Sequence, residues 1–90
     1  MNSARGKSLT SAQIRAARAL IRWSAEDLAR SSSVGLTTVR RAELAIEETS
    51  LTAANNLAIR NALETAGVEF IDENGGGPGV RLRKPPRQKR

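Results

Sequence analysis

The sequence predicts a small, mainly α domain of four helices followed by a short C-terminal β-hairpin. Three observations favour this fold class. Good N-capping residues recur ahead of segments whose apolar residues follow helical spacing. A glycine, Gly67, follows the last of these segments, and two short apolar runs then flank a Gly-rich loop at residues 74–79. The 90 residues of the chain are enough for one such domain.

The first helix is predicted to begin near Ser11. Thr10 and Gln13 have the spacing of a capping box, and Ser11 itself is an alternative N-cap. The segment that follows, residues 12–22, is rich in alanine, which favours a helix. Residues 1–9 lack such a pattern, and we expect them to form a disordered lead.

Two further helices are predicted to follow closely. Ser24 is a good N-cap, and two acidic residues fill the first turn behind it. The serine run at residues 31–33 is expected to interrupt this second helix, because serine hydroxyls compete for backbone hydrogen bonds. Gly35 can then cap a third helix over Leu36–Leu44.

The last helix and the hairpin complete the prediction. Residues 52–66 show an apolar stripe at helical spacing, and Gly67 is a strong helix stop. Residues 68–71 and 80–83 are predicted as strands. The predicted units are therefore a disordered lead at 1–9, a helical domain at 10–66, a hairpin at 67–83 that is a candidate dimerisation element, and a disordered basic tail at 84–90. The fourth helix is the other candidate for a dimer interface, alone or together with the hairpin.

The charge of the chain is distributed in three blocks. Residues 1–41 carry a net +6, residues 42–80 a net −6, and residues 81–90 a net +6. A polyanion is one partner that such basic blocks favour. The chain has no cysteine and no histidine, which excludes disulfides, thiolate metal sites and a histidine general base. We expect no metal, no cofactor and no enzymatic activity.

The spacing of the second and third helices predicts a helix-turn-helix. Ala29 is small where the third helix must cross the second. Val34 and Val39 can anchor the third helix to the core. This arrangement turns the start of the segment 35–44 outward, where it can enter a DNA major groove about 12 Å wide.

Three segments together resemble the lambda Cro/repressor-type helix-turn-helix family of bacterial and phage regulators: QIRAAR at 13–18, WSAEDLA at 23–29 and VGLTTVRRAE at 34–43. The closing segment, AGVEFIDENGGGPGVRLR at 66–83, resembles a subgroup of short proteobacterial regulators that end in a hairpin. The resemblance covers about residues 12–66. Two positions depart from the family pattern. Ala25 stands where a phosphate-contacting glutamine is usual, and Ser33 stands where a glycine is usual, so positive φ is expected at Ser33.

The resemblance also assigns roles to individual residues. It implies a structural ion pair between Arg18 on the first helix and Glu43 on the third. Together with helix geometry, it predicts DNA base contacts from the third helix and phosphate contacts from both helix starts. The predicted base-contacting residues are Leu36, Thr37, Arg40 and Arg41. The predicted phosphate-contacting residues are Ser24 and Thr38.

The resulting hypothesis is a cytoplasmic, nucleoid-associated transcriptional regulator that binds a short, partly palindromic operator in double-stranded DNA as a homodimer. The alternative is a protein-interaction module of the same fold, an antiactivator or antitoxin, with weak or no DNA binding. A protein partner would then use the acidic 42–80 region or the basic tail. The tail itself has three open interpretations: contact with phosphates, contact with a partner subunit, or no role. No apolar run is long enough to span a membrane.

Overall fold

The computed structural model describes residues 8–46, 49–73 and 75–83. These residues form helices α1 (Ser11–Ile21), α2 (Ala25–Ser32), α3 (Leu36–Leu44) and α4 (Ala53–Thr65), followed by strands β1 (Val68–Ile71) and β2 (Gly79–Leu82). The predicted fold class, four helices followed by a hairpin, is confirmed. Residues 1–7 of the predicted lead and the whole predicted tail at 84–90 lie outside the described residues.

Helix α1 begins with the predicted capping box. The Thr10 hydroxyl accepts a hydrogen bond from the Gln13 backbone N–H, and the Gln13 side chain accepts one from the Thr10 N–H, both at 3.0 Å. Thr10 is therefore the N-cap, and Ser11 has another task. Its hydroxyl donates to the carbonyl of Ala45 at 2.7 Å and ties the start of α1 to the end of α3.

Helix α2 is longer than the serine run suggests. Ser31 and Ser32 are helical, so the prediction that the whole run interrupts the helix is wrong for these two residues. The Ser32 hydroxyl is satisfied inside the helix, because it donates to the Leu28 carbonyl at 2.7 Å. Only Ser33 leaves the helix, and it has the expected positive φ, at 62°. Gly35 caps α3 without a side-chain bond.

Helix α4 is one residue shorter at each end than the predicted 52–66, because Thr52 and Ala66 are its caps. The predicted stop follows at Gly67, whose φ of 112° suits glycine. The two strands pair antiparallel, with Phe70 opposite Val80 and Ile71 opposite Gly79. Strand β2 therefore begins one residue earlier than the predicted 80–83. The hairpin packs against α1 and α4, whereas α3 packs against α1 and α2.

The core lies where the helices and the hairpin meet. Its members are buried and apolar, and they include Leu9, Ile14, Ala17, Leu28, Val34, Val39, Ala42, Ile59, Leu63, Val68 and Phe70. Leu9 corrects the predicted boundary of the lead, because its side chain is only 1% exposed. Its backbone N–H also donates to the Asn56 side chain at 2.9 Å, and its carbonyl accepts from the Thr49 hydroxyl. The ordered domain therefore includes residue 9.

Arg60 of α4 is a buried cation that the sequence pattern did not reveal. Its side chain is almost fully covered, and its guanidinium carbon lies 5.1 Å from the centre of the Phe70 ring. Its Nε donates to Glu64, one helical turn on, at 3.1 Å. The aromatic face and the carboxylate offset part of the desolvation cost of burying the arginine. This contact joins α4 to β1.

Candidate nucleic-acid interface

Helix α3 is held to the domain by its inner face. Val39 and Ala42 are buried in the core, and so is Val34 just before the helix. Ala29 of α2 packs against the same core, as its small size at a helix crossing predicts. These contacts fix the orientation of α3, so its opposite face is presented on a rigid support.

An ion pair between α1 and α3 adds to this support. Arg18 and Glu43, the residues that the resemblance pairs, form a bidentate salt bridge with N···O distances of 2.6 and 2.7 Å. The third guanidinium nitrogen donates to the Trp23 carbonyl at 2.8 Å. The hydrogen bond to Glu43 raises the pKa of Arg18 above its ordinary value. With side chains only 22% and 9% exposed, the pair is a clamp rather than a solvated contact.

The four predicted base-contacting residues differ in exposure. Thr37, Arg40 and Arg41 are exposed, whereas Leu36 is half-buried at the first position of the helix. All four belong to α3, and none of them is part of the buried core. The structure therefore leaves two arginines and one hydroxyl on the outer side of this helix.

The two arginines are not equivalent. Arg40 donates to Glu26 of α2 at 3.0 Å, and both side chains are more than half exposed. Within the described ranges, Arg41 has no hydrogen bond or ion pair. The Arg40–Glu26 contact was not predicted from the sequence, where Glu26 was interpreted only as a helix-start charge. The spacing within a helix-turn-helix brings the first turn of α2 beside the middle of α3. This spacing could have predicted the contact between Glu26 and Arg40.

The predicted phosphate contacts lie at the starts of the two helices. The Ser24 hydroxyl accepts from the Asp27 N–H at 3.0 Å, and the Ser24 N–H donates to the Asp27 carboxylate at 2.9 Å. The second of these bonds holds the pKa of Asp27 below its ordinary value. The Ser24 hydroxyl hydrogen is not used by this capping box, so it can donate outward. Thr38 is half-buried beside a cleft of 50 Å³ between α3 and Leu51.

Two further ion pairs lie on the surface of the described residues. Arg30 pairs with Asp27 at 2.6 Å on α2, and Arg81 pairs with Glu69 across the hairpin at 3.2 Å. The bond from Arg81 lowers the pKa of Glu69. Within the described residues, Arg41 is therefore the arginine of α3 that no carboxylate neutralises.

Across the described ranges, no helix combines the length and the apolar character needed to cross a bilayer. Comparison with known proteins adds no family assignment, since no protein-family model and no curated protein matches the chain.

Proposed function

We propose that the protein is a sequence-specific transcriptional regulator that binds double-stranded DNA in the cytoplasm as a homodimer. One observation carries the proposal. Helix α3 exposes Thr37, Arg40 and Arg41, while its opposite face is fixed by the core and by the Arg18–Glu43 clamp. A rigid helix with cationic and hydroxyl side chains on one exposed face suits recognition of base edges in a groove.

The dimensions of DNA fit this use of α3. A helix about 10–12 Å across fits a major groove about 12 Å wide. Arg40 and Arg41 have the fork geometry that recognises guanine, and Thr37 can bond a base or a phosphate. Leu36, half-buried at the helix start, can contact a thymine methyl with the part that is exposed.

Phosphate contacts would set the register of the protein on DNA. Backbone N–H groups and the Ser24 hydroxyl at the start of α2 can donate to one phosphate, and Thr38 can donate to another. One recognition helix reads only a few base pairs, so two copies on half-sites about 34 Å apart give a longer, partly palindromic operator. Placement there is sufficient either to block polymerase or to recruit it.

The test is footprinting of the full chain on DNA upstream of its gene, followed by affinity measurements over a salt series. We expect Arg40→Ala and Arg41→Ala each to weaken binding by about 1–3 kcal/mol if the lost contact is a bidentate base contact. Loss of a phosphate contact would instead make the negative slope of log affinity against log salt concentration shallower by about 0.9.

Arg81→Ala is the matched control. Like Arg40, Arg81 is exposed and pairs with a glutamate, but it lies on the hairpin. We expect its loss to change affinity little. Equal effects of Arg40→Ala and Arg81→Ala would show that only net charge matters and would reject α3 as the reading element.

The alternative, a protein-interaction module such as an antiactivator or antitoxin, has one specific observation in its favour. Glu26 neutralises Arg40, and Ala25 supplies no phosphate contact at the start of α2. A module of this kind would use the acidic 42–80 region or the basic tail for its protein partner. Absence of salt-dependent DNA binding by the native chain would favour this alternative over the regulator.

A further inference from the structure

The end of α3 carries two large apolar side chains that the domain does not cover. Leu44 is 81% exposed and Ile46 is 95% exposed, which makes them the most exposed large hydrophobic residues in the described part of the chain. They flank Ala45, whose carbonyl is held by the buried Ser11 hydroxyl at 2.7 Å. Both side chains are therefore displayed on an anchored stretch of backbone.

A groove of about 650 Å³ lies on the same face, between the start of α1 and the end of α3. Leu44 and Ile46 line this groove together with Ala12 and Arg15 of α1. A face that carries both protruding apolar side chains and a groove can be complementary to itself. Two copies related by a two-fold axis can then insert Ile46 into each other's groove, which closes the assembly at two.

We propose that this apolar patch, Leu44 and Ile46 with the adjoining groove, is the contact between two copies of the chain. The proposal deepens the proposed function and rests on it for the setting, since two copies on adjacent half-sites meet at the axis between their recognition helices. Leu44 is the last residue of α3 itself, so the patch extends directly from the recognition helix.

The size of the patch determines what kind of contact it makes. A standard stable interface engages about 20–30 residues on each side. The groove is lined by eight residues, two of which are the exposed aliphatic ones. The area is therefore too small for a tight dimer in free solution. It suits weak self-association that becomes effective when DNA holds two copies side by side, because the second contact is then intramolecular.

The hairpin is the competing surface. Leu82 of β2 is 52% exposed, and an edge strand can pair with a second copy. However, the hairpin packs against α1 and α4, whereas the apolar patch continues α3. Leu82→Asp therefore serves both as the matched control and as the test of the competing surface, because Leu82 and Ile46 are both exposed aliphatic residues.

The experiment measures self-association of the full chain without DNA, by sedimentation from micromolar to millimolar concentration, for the native chain, Ile46→Asp and Leu82→Asp. We expect weak self-association of the native chain. Ile46→Asp should weaken it by at least about tenfold, or about 1.4 kcal/mol, and Leu82→Asp should leave it unchanged. Leu44→Gln provides a second variant of the patch, and circular dichroism checks that each variant folds.

The same variants are then tested on the footprinted duplex and on that duplex shortened to one half. Ile46→Asp should remove cooperative binding to the full duplex and keep the affinity for the half. The proposal is overturned if the native chain remains monomeric and binds the two halves independently, or if Leu82→Asp abolishes association while Ile46→Asp does not. A chain that self-associates through Ile46 but binds no DNA would reject only the proposed function.

Discussion

Helix α3 has two arginine–glutamate pairs, one on each side, and they differ in burial. The Arg18–Glu43 clamp joins α3 to α1 with side chains 22% and 9% exposed. The Arg40–Glu26 pair joins α3 to α2 with side chains 56% and 54% exposed. The same chemistry therefore appears once inside the domain and once at its surface, on a single nine-residue helix.

The difference in burial separates two uses of an arginine. A buried pair that loses one partner leaves an uncompensated charge, so Arg18 is committed to the fold. An exposed pair contributes about 0–1 kcal/mol, so water, salt or a phosphate can replace Glu26 at little cost. Arg40 is thus held near one position while it remains available to a ligand, and Arg18 is not available.

Loss of the Arg18–Glu43 clamp should change the stability of the protein most. Glu43→Ala should lower the free energy of unfolding by about 3 kcal/mol, because Arg18 would remain partly buried without its carboxylate. Urea denaturation followed by circular dichroism measures this change. Glu26→Ala is the matched control, with an expected loss of at most about 1 kcal/mol. Equal losses in the two variants would contradict the distinction between the pairs.

The turn between α2 and α3 also positions α3, so its contribution to stability can be set beside that of the two ion pairs. Ser33→Gly should stabilise the protein by up to about 1 kcal/mol, because glycine adopts the observed positive φ without strain. Ser31→Gly, inside α2, should instead destabilise it by up to about 0.5 kcal/mol, because glycine has a lower helix propensity than serine. Thermal unfolding of both variants tests whether their stabilities change in opposite directions. A loss of stability in Ser33→Gly would refute the strain argument.

The exposed pair predicts a smaller effect that depends on the proposed function. Glu26→Gln should raise DNA affinity by up to about fivefold, because Arg40 then binds DNA without losing its ion pair with a carboxylate. Glu69→Gln, which releases Arg81 on the hairpin, is the control and should change affinity less. Fluorescence anisotropy at low salt makes the measurement, and an unchanged or reduced affinity of Glu26→Gln would show that Glu26 positions Arg40 productively.

The smallest expected effect is a dependence on pH at the exposed start of α2. The bond from the Ser24 N–H lowers the pKa of Asp27 in the folded protein, so the ionised carboxylate favours folding. This contribution is present above the ordinary pKa of an aspartate and is lost as the pH falls below it. Asp27→Asn should therefore flatten the acid side of the stability profile, measured by urea denaturation at several pH values. A variant with the same acid slope as the native chain would contradict this.

Features that depend on local sequence were predicted well. The capping box at Thr10, the helix stop at Gly67 and the inward positions of Val39 and Ala42 follow from the spacing of residues close together in the chain. The positive φ of Ser33 followed from the family resemblance. The roles of the α3 side chains in DNA binding remain predictions.

Three features of the structure were not predicted, and two of them depend on contacts between separate segments of the chain. Leu9 is a single apolar residue in a polar segment, so no periodicity marks it as part of the core. Nothing in the sequence pattern distinguishes Arg60 from the exposed charged residues. The position of Phe70 in the fold accounts for its burial. Ser32 remains helical because its hydroxyl finds the Leu28 carbonyl, which composition alone does not reveal.

The hydrogen bonds of Leu9 have a consequence for the kinetics of folding. They join residues 47 and 40 positions apart in the chain, to Asn56 and Thr49 respectively. Contacts this distant form after local helix pairs, because closing a long loop costs entropy. Interactions that form late influence the unfolding rate more than the folding rate. We therefore expect Leu9 to determine mainly how slowly the folded domain unfolds, and to have little influence on how quickly it folds.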